Sequence, residues 1–531
     1  MPTELVTDGA GVVARLTLEA ESTRLTVVES ESLQPVEMPT RIASVRLHQN
    51  GESPEKGYVP LVASRKHCRM EVGPPLLFQA NARTGQLDAV ILCFPPLIRG
   101  ADMKQMITRR QASQALAATG MLSLPQGDWL VGREATHEKL PVAAAISVYH
   151  RFSHADVILG KLLEGWLQKG GPGPGLELVS VYVDQFHEND VARALSRKYG
   201  FRITRTIDEA VTLGQDHVPV AGVLSIAEHG RYPVTADTKQ QQYPRRRFFD
   251  EIVAAMQRVK QYVPIFNDKH LGYRWQDAAH MVKTARELQI PLMAGSSLPV
   301  TWRYPAVELP AGEEVKDALV VGHSTSESYL FHALEALQCT VERRRGGETG
   351  IKAVRALKGA EIFAAEKRGE WSRDLLKAAL RTLDASTAGL DGQIDQDSTV
   401  FFLIEYADGM TATAAMMQSA VGPMPPLYSC QLAVAVRRAS VPEPLACWMK
   451  TPGIPFRHFG QLLRGIEVML RTGKAVYPAE RTLLTTGVLD RMLQSLHLQQ
   501  GSRLETPELA IRYHSTDWGF ANRKGGLAAR D

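Results

Sequence analysis

From Lys139 onward, short apolar runs alternate with segments whose apolar positions recur every three or four residues. VAAAISVY, LELVSVYVD, VAGVLSIAE, VPIFND and IPLMAGS have the length and apolar continuity of strands buried on both faces. HADVILGKLLEGWLQ, ENDVARALSRKYG, TIDEAVTL, RRRFFDEIVAAMQRVKQY and RWQDAAHMVKTARELQ lie among them and gather their apolar residues on one helical face. Strands joined through helices need crossover connections, which are right-handed and leave the strands parallel. The pattern predicts an α/β fold with a doubly wound parallel sheet over residues 139–296. GGPGPG, at 170–175, reads as a surface connection within that unit.

Beyond Pro305 the texture changes. ALVVGHS, TVFFLIEYADGMTATAAMM and LYSCQLAVAVRRA are longer strand candidates, and ADGM reads as the turn of an antiparallel hairpin. An α+β domain with a mostly antiparallel sheet accounts for residues 297–455. Residues 456–531 close the chain with two amphipathic helices joined by a glycine and proline connection, followed by a tail.

A chain of 531 residues is long enough for about three or four domains. Its 44% hydrophobic and 22% charged content is that of an ordinary globular protein, and no apolar run approaches the roughly 20 residues that cross a bilayer, so no integral membrane span is expected. A formal charge of +4 is weak at this length. The one compact basic run, Arg245-Arg246-Arg247, reads as a solvated or ion-paired helix start, and nucleic acid is not an expected partner. The five cysteines are odd in number, widely spaced and free of C-x-x-C, which indicates neither a disulfide framework nor a zinc knuckle.

Residues 103–138 stand apart. MKQMITRRQASQALAATGMLSLPQ places Arg109 and Arg110 before a weakly apolar segment of small residues, the pattern of a twin-arginine export signal. Such a signal works at a free N-terminus. If translation begins at Met103 or Met106, residues 1–102 are an untranslated upstream extension and the product is exported to the periplasm. If residues 1–102 are real, they form a small β-rich domain followed by an amphipathic linker, and the protein is cytoplasmic.

Four stretches carry a family resemblance over roughly residues 139–510. They are YVDQFHENDVARALSRKYGFRITRTIDEAV, VPIFNDKHLGYRWQDAAHMVKTARELQIPLMAGSSLPVTWRYP, ESYLFHALEALQCTVER and LLRGIEVMLRTGKAVYPAERTLLTTGVLDRMLQS. Together they resemble the glucose-fructose oxidoreductase and inositol dehydrogenase family, Gfo/Idh/MocA, and within it an exported subgroup carrying FNDKHL, MAGSSLPVTWR and ERRRGGETG. The resemblance implies a Rossmann-like domain followed by the α+β domain, and hydride transfer between a tightly held NAD or NADP and a sugar, polyol or related hydroxyl compound. It also implies a broad sheet face of the kind the family uses to pair, hence a homo-oligomer.

The resemblance assigns roles residue by residue. Lys269, in NDKHL, matches the family's active-site lysine, with Asp268 in place of its glutamate and His270 in place of its proline. His332 matches its general acid/base, an imidazole suited to taking a hydroxyl proton, while Ser328 stands where the family has an aspartate one turn earlier. Without the resemblance, Lys269 reads as a surface lysine and His332 as a packing residue. Asp184 closes the second strand, where a carboxylate bonds the adenosine ribose of NAD and disfavours NADP; it also reads as a turn residue. Glu228 and His229 end a further strand and would line the nicotinamide side. Arg303, Tyr304 and His323 would face the substrate or else lie at the domain junction.

One departure is large. A dinucleotide site wants G-x-G-x-x-G between the first strand and helix, so that backbone amides approach the pyrophosphate. Here the stretch is VYHRFSHADV, without glycine, and Ser153, His154 and Arg151 would have to hold a phosphate by another geometry. His150, His154, His187, His229 and His270 raise a metal site as a minor reading. The competing functional reading is a nucleotide-free binding protein, or a non-redox sugar-modifying enzyme, on the same scaffold.

Overall fold

The structure, a computed structural model, describes residues 138–383, 385–394, 396–418 and 431–523, with short strands ahead of them. Those upstream strands include the antiparallel pair Leu5–Asp8 and Gly11–Leu16. The twin-arginine-like segment around Arg109 and Arg110 lies outside the described residues.

From residue 138 the expected alternation is present. Strands β1 (Leu140–Ile146), β2 (Leu176–Val183), β3 (Arg202–Thr204), β4 (Gly222–Ile226), β5 (Ile265–Asp268) and β6 (Leu292–Gly295) form one sheet in the order 6-5-4-1-2-3. Every pairing in it is parallel. The helices are α1 (His154–Glu164), α2 (Ala192–Tyr199), α3 (Ile207–Thr212), α4 (Arg245–Val259) and α5 (Trp275–Glu287). Because they cover both faces, β1 is buried through Val142–Ile146, which is why the sequence there is a continuous apolar run. The strand order reverses between β1 and β4, and open sheets of this kind bind ligands at the carboxyl ends beside such a switch point.

The second sheet is built from β7 (Trp302–Tyr304), β8 (Val315–Gly322), β9 (Ile351–Leu357), β10 (Val400–Tyr406), β11 (Thr411–Met416), β12 (Ala433–Arg438), β13 (Leu445–Lys450) and β14 (Leu504–Glu505), in the order 7-13-12-8-11-10-9-14. The hairpin expected at ADGM joins β10 and β11. The pair β8 and β11 is parallel in an otherwise antiparallel sheet. Helix α6 (Glu327–Val341) packs on one face; α7 (Ala360–Lys367), α8 (Arg373–Thr382) and α9 (Leu390–Ile394) cover the other.

The C-terminal helices unite the two sheets. In α10 (Arg457–Thr472), Leu462, Leu463, Ile466 and Met469 enter the core of the parallel sheet, each such burial contributing about 2 kcal/mol. In α11 (Ala479–His497), Leu484, Val488, Leu489 and Met492 enter the core beneath the second sheet, while Thr482 Oγ1 donates to the Ala294 carbonyl at the end of β6 (2.8 Å). Residues 456–523 are therefore packing partners of both sheets.

Candidate active site at the carboxyl ends of β4 and β5

Two strands end in unusual backbone. His229, after β4, and Lys269, after β5, have φ of 68° and 62°, a left-handed conformation that non-glycine residues rarely adopt. Such conformations persist where surrounding bonds over-determine them, and they gather at working sites. At Lys269 the constraint is visible: its N–H donates to the Gly295 carbonyl at the end of β6 (3.1 Å).

The turn aims the Lys269 side chain into a buried polar cluster. Nζ donates to Glu228 Oε1 (2.8 Å) and to Ser328 Oγ on α6. Lys269 is 4% exposed and Glu228 5%. The other Glu228 oxygen accepts from Arg245, the first residue of α4, which is completely buried. Burial alone would push the Glu228 carboxyl up; the Lys269 and Arg245 charges outweigh it and hold the group well below the usual carboxylate range. Behind this pair, His270 Nε2 lies 2.8 Å from Arg245 Nη1 and 2.9 Å from Glu327 Oε1. Glu327 also accepts from the Gln241 N–H (2.8 Å), which anchors the start of α6.

His332 follows Ser328 by one helical turn and so shares its face of α6. Its ring is buried, and Nδ1 has no hydrogen-bond partner among the described residues. Burial, then the Lys269 charge, push its pKa well below the ordinary histidine value, so the imidazole is neutral near pH 7. His154, at the start of α1, places Nδ1 2.6 Å from Asp268 Oδ2 and its ring 5.4 Å from that of His229. His229 is held down to about pKa 4, by burial first and the neighbouring His154 next. Lys269, His154 and Glu228 all act electrostatically on His332, so β1–α1, β4, β5 and α6 converge on one place.

The dinucleotide end is different. Ser153 caps α1, its Oγ accepting from Asp156 N–H (3.3 Å) and from His150 N–H (3.3 Å). Phe152 takes a left-handed φ of 65° where a glycine would be unstrained. The Phe152 N–H, an amide a phosphate would need, donates to the buried carboxylate of Asp156 (2.9 Å), which Arg151 also contacts (3.1 Å). Asp184 is likewise engaged: Tyr182 Oη (2.7 Å), Tyr232 Oη (2.7 Å) and Arg247 Nη2 (2.5 Å) donate to it. Burial opposes its charge, but these three donors hold its carboxyl below the usual range. Both anchor points of an ordinary dinucleotide pose are thus satisfied from within the chain, and the residues present do not fit that pose.

Of the residues expected from the sequence, Lys269, His332, Glu228, His229 and His154 come together. Ser153 serves the helix cap, and Asp184 a separate cluster with Arg247. His323 lies at the margin: its buried ring packs 4.4 Å from Tyr329, whose own ring is 6.5 Å from His332. Arg303 is not part of the site; it is buried against Pro299, Cys339, Glu308 and Phe520. Tyr304 is exposed beside Trp448 and Lys450. The histidines partly converge, with His150 4.7 Å from His187 and 5.7 Å from His229 between ring centroids, while His270 belongs to the Arg245 pair. Among the described residues no group has the arrangement of a metal site.

Arg245 is the main residue that sequence reasoning missed. Arg246 and Arg247 are ion-paired at the surface as expected, with Asp250 and Glu251 respectively. Arg245 shares the helix face of Phe248 and Phe249, three and four residues on, and that spacing to two fully buried rings was the available signal.

No family model matches the chain, and no curated protein matches it. Among solved structures it is similar to GenD2 from gentamicin A biosynthesis in complex with NAD, at 16% identity over 72% of this chain and 99% of that chain, with a TM-score of 0.44. It is similar to a myo-inositol dehydrogenase from Lactobacillus casei in complex with NAD(H) and myo-inositol, at 9% identity over 69% and 97%, TM-score 0.44. It is also similar to a myo-inositol dehydrogenase from Corynebacterium glutamicum, at 11% identity over 69% and 98%, TM-score 0.42.

Proposed function

We propose that the chain is an oxidoreductase acting on a hydroxyl group of a sugar or polyol. The observation that carries this reading is the buried Lys269–Glu228–Ser328 cluster beside a neutral His332 at the strand ends next to the β1/β4 switch point. His332, a neutral imidazole, is the group suited to accept a hydroxyl proton. The Lys269 ammonium supplies the positive charge that stabilises the resulting alkoxide, and Glu228 keeps that ammonium in place. A neutral imidazole beside a fixed cation is the charge arrangement that proton removal from an alcohol requires.

An oxidoreductase also needs a hydride acceptor, and the family resemblance implies a nicotinamide. The engaged Asp156 and Asp184 carboxylates favour a second reading, a nucleotide-free enzyme that uses the same lysine and histidine for non-redox proton transfer such as elimination. The two separate in one experiment: mass spectrometry of small molecules released from the denatured protein, with calorimetric titration of NAD and NADP. Released or saturably bound nucleotide supports the oxidoreductase; absence of both overturns it and leaves the second reading.

A further inference from the structure

Arg245 takes no direct part in the proposed proton transfer, yet it lies completely buried beside it. It opens α4, and Phe248 and Phe249, both fully buried one turn on, fix that helix start in place. Its guanidinium forks between two groups of the site. Nη2 donates to Glu228 Oε2, and Nη1 lies 2.8 Å from His270 Nε2. The Tyr243 ring centroid is 5.0 Å from Arg245 Cζ on a further side. An arginine is not deprotonated in proteins, so it is a permanent donor where a buried lysine is not.

The supply of donors makes this contact matter. An ammonium has three N–H groups. Lys269 commits one to Glu228 Oε1 (2.8 Å) and one to Ser328 Oγ, which leaves one for a substrate oxygen. Ser328 Oγ in turn donates to Glu228 Oε1 (3.4 Å). Glu228 Oε2 has Arg245 as its donor, and no other donor reaches that oxygen among the described residues. Without Arg245, Oε2 would be a bare acceptor on a residue that is 5% exposed, and such an atom draws in the nearest mobile donor. That donor is the third N–H of Lys269, whose nitrogen already sits on the same carboxylate. The ammonium would then bridge both oxygens and have nothing left for substrate.

We propose that Arg245 is a positioning residue: by filling Glu228 Oε2 it holds Lys269 on a single carboxylate oxygen and reserves one ammonium N–H for the substrate. This rests on the reading of Lys269 as the cation that faces the reacting hydroxyl. When the substrate O–H bond breaks, its proton goes to His332 and its electron pair stays on oxygen, and the reserved N–H donates to that oxygen. The hydrogen bond is stronger to the alkoxide than to the neutral hydroxyl, so Arg245 acts on kcat more than on KM.

The test uses the full chain. Arg245→Met removes the charge and its donors, whereas Arg245→Lys keeps a charged donor. A crystal structure of Arg245→Met should show Lys269 Nζ within hydrogen-bond distance of both Glu228 oxygens. On myo-inositol, D-glucose or another sugar or polyol that the wild type turns over, kcat should fall roughly 10²-fold with KM changed less than about threefold. Arg245→Lys should recover most of that loss. Arg245→Gln, too short to reach Glu228 as the arginine does, takes the place of the methionine variant if that one fails to fold. Nζ remaining on Oε1 alone, a loss confined to KM, or a folded lysine variant as slow as the methionine one overturns the proposal. The crystal structure needs no substrate, so the two ideas separate: a wild type that turns over no hydroxyl compound sinks the oxidoreductase reading, whereas an unmoved Lys269 sinks this one.

Discussion

At the scale of single residues, the site depends on which groups hold charge in a dry place. Lys269→Met keeps the length of the side chain and removes the ammonium. We expect turnover on any sugar or polyol the wild type accepts to fall by about 10²–10⁴-fold, with far-ultraviolet circular dichroism unchanged. Wild-type turnover in that variant would remove Lys269 from the chemistry. His332→Asn should cause a loss of similar size. Because burial and the Lys269 charge depress the His332 pKa, the acid limb of the wild-type kcat/KM profile should fall below pH 6.5, not at it. An acid limb above pH 6.5 would show that another group controls the rate. The lysine and histidine were singled out only through the family motifs that NDKHL and ESYLFHALE resemble. Arg245 was passed over because the run of three arginines was read as one solvated face, although its spacing to Phe248 and Phe249 set it apart.

At the scale of elements, α1 shows how a glycine-free turn is stabilised. Its cap residue Ser153 is fully buried and satisfies two backbone amides, at His150 and Asp156. Ser153→Ala should lower stability by about 1–2 kcal/mol in urea denaturation, and an unchanged midpoint would mean that water replaces the hydroxyl. The second element with a marked signature is α6. Glu335, buried there, accepts from the Ser296 N–H (2.8 Å), and burial raises its pKa to about 7. Between the ordinary carboxylate range and pH 7 the native state therefore holds a proton that the unfolded chain has lost, and stability from this group declines as pH rises through that window. Glu335→Gln removes the decline. The variant should be more stable than wild type at pH 7.5 by about 1–3 kcal/mol, with the advantage shrinking at pH 5.5. An equal difference at both pH values would assign the effect to packing.

At the scale of the whole molecule, buried neutral histidines work in the opposite sense. His229, His332 and His458 all have lowered pKa values, His229 at about 4 and His458 at about 3, in each case through burial first. Below about pH 6.5 the unfolded chain takes up protons that these rings refuse, so stability is full above that pH and falls as pH drops toward their native values. Each contributes a loss of about 1.4 kcal/mol per pH unit in that window, more in sum than the single gain from Glu335. Urea denaturation should therefore show lower stability at pH 5.5 than at pH 7.5, by roughly 2–3 kcal/mol. Equal stabilities would mean that at least some of these rings open to water before the chain unfolds. The common origin is architectural, because α6 and α10 are both covered and their polar residues are enclosed with them.

The sequence by itself determined the order of the helices and of five of the six strands in the first domain, missing the short edge strand β3, and with it a parallel sheet, because apolar periodicity is local and crossover handedness leaves little freedom. It also placed Lys269 at a strand end and His332 one turn after Ser328. It did not expose β9 and α7, whose short mixed runs lack sustained periodicity, or the parallel pairing of β8 with β11, which depends on the path between distant segments; α8 was missed although Leu375, Leu376, Ala379 and Leu380 have helical spacing. Only the tertiary structure decided who meets whom. Glu228 meets Lys269 across 41 residues, and His270 meets Glu327 across 57. Asp184 is filled by Arg247, and Arg303 turns away from the expected substrate side into a second cluster. A buried charge must find its counter-charge in space, and the position of that partner is set by packing among elements whose separation along the chain carries no local signal.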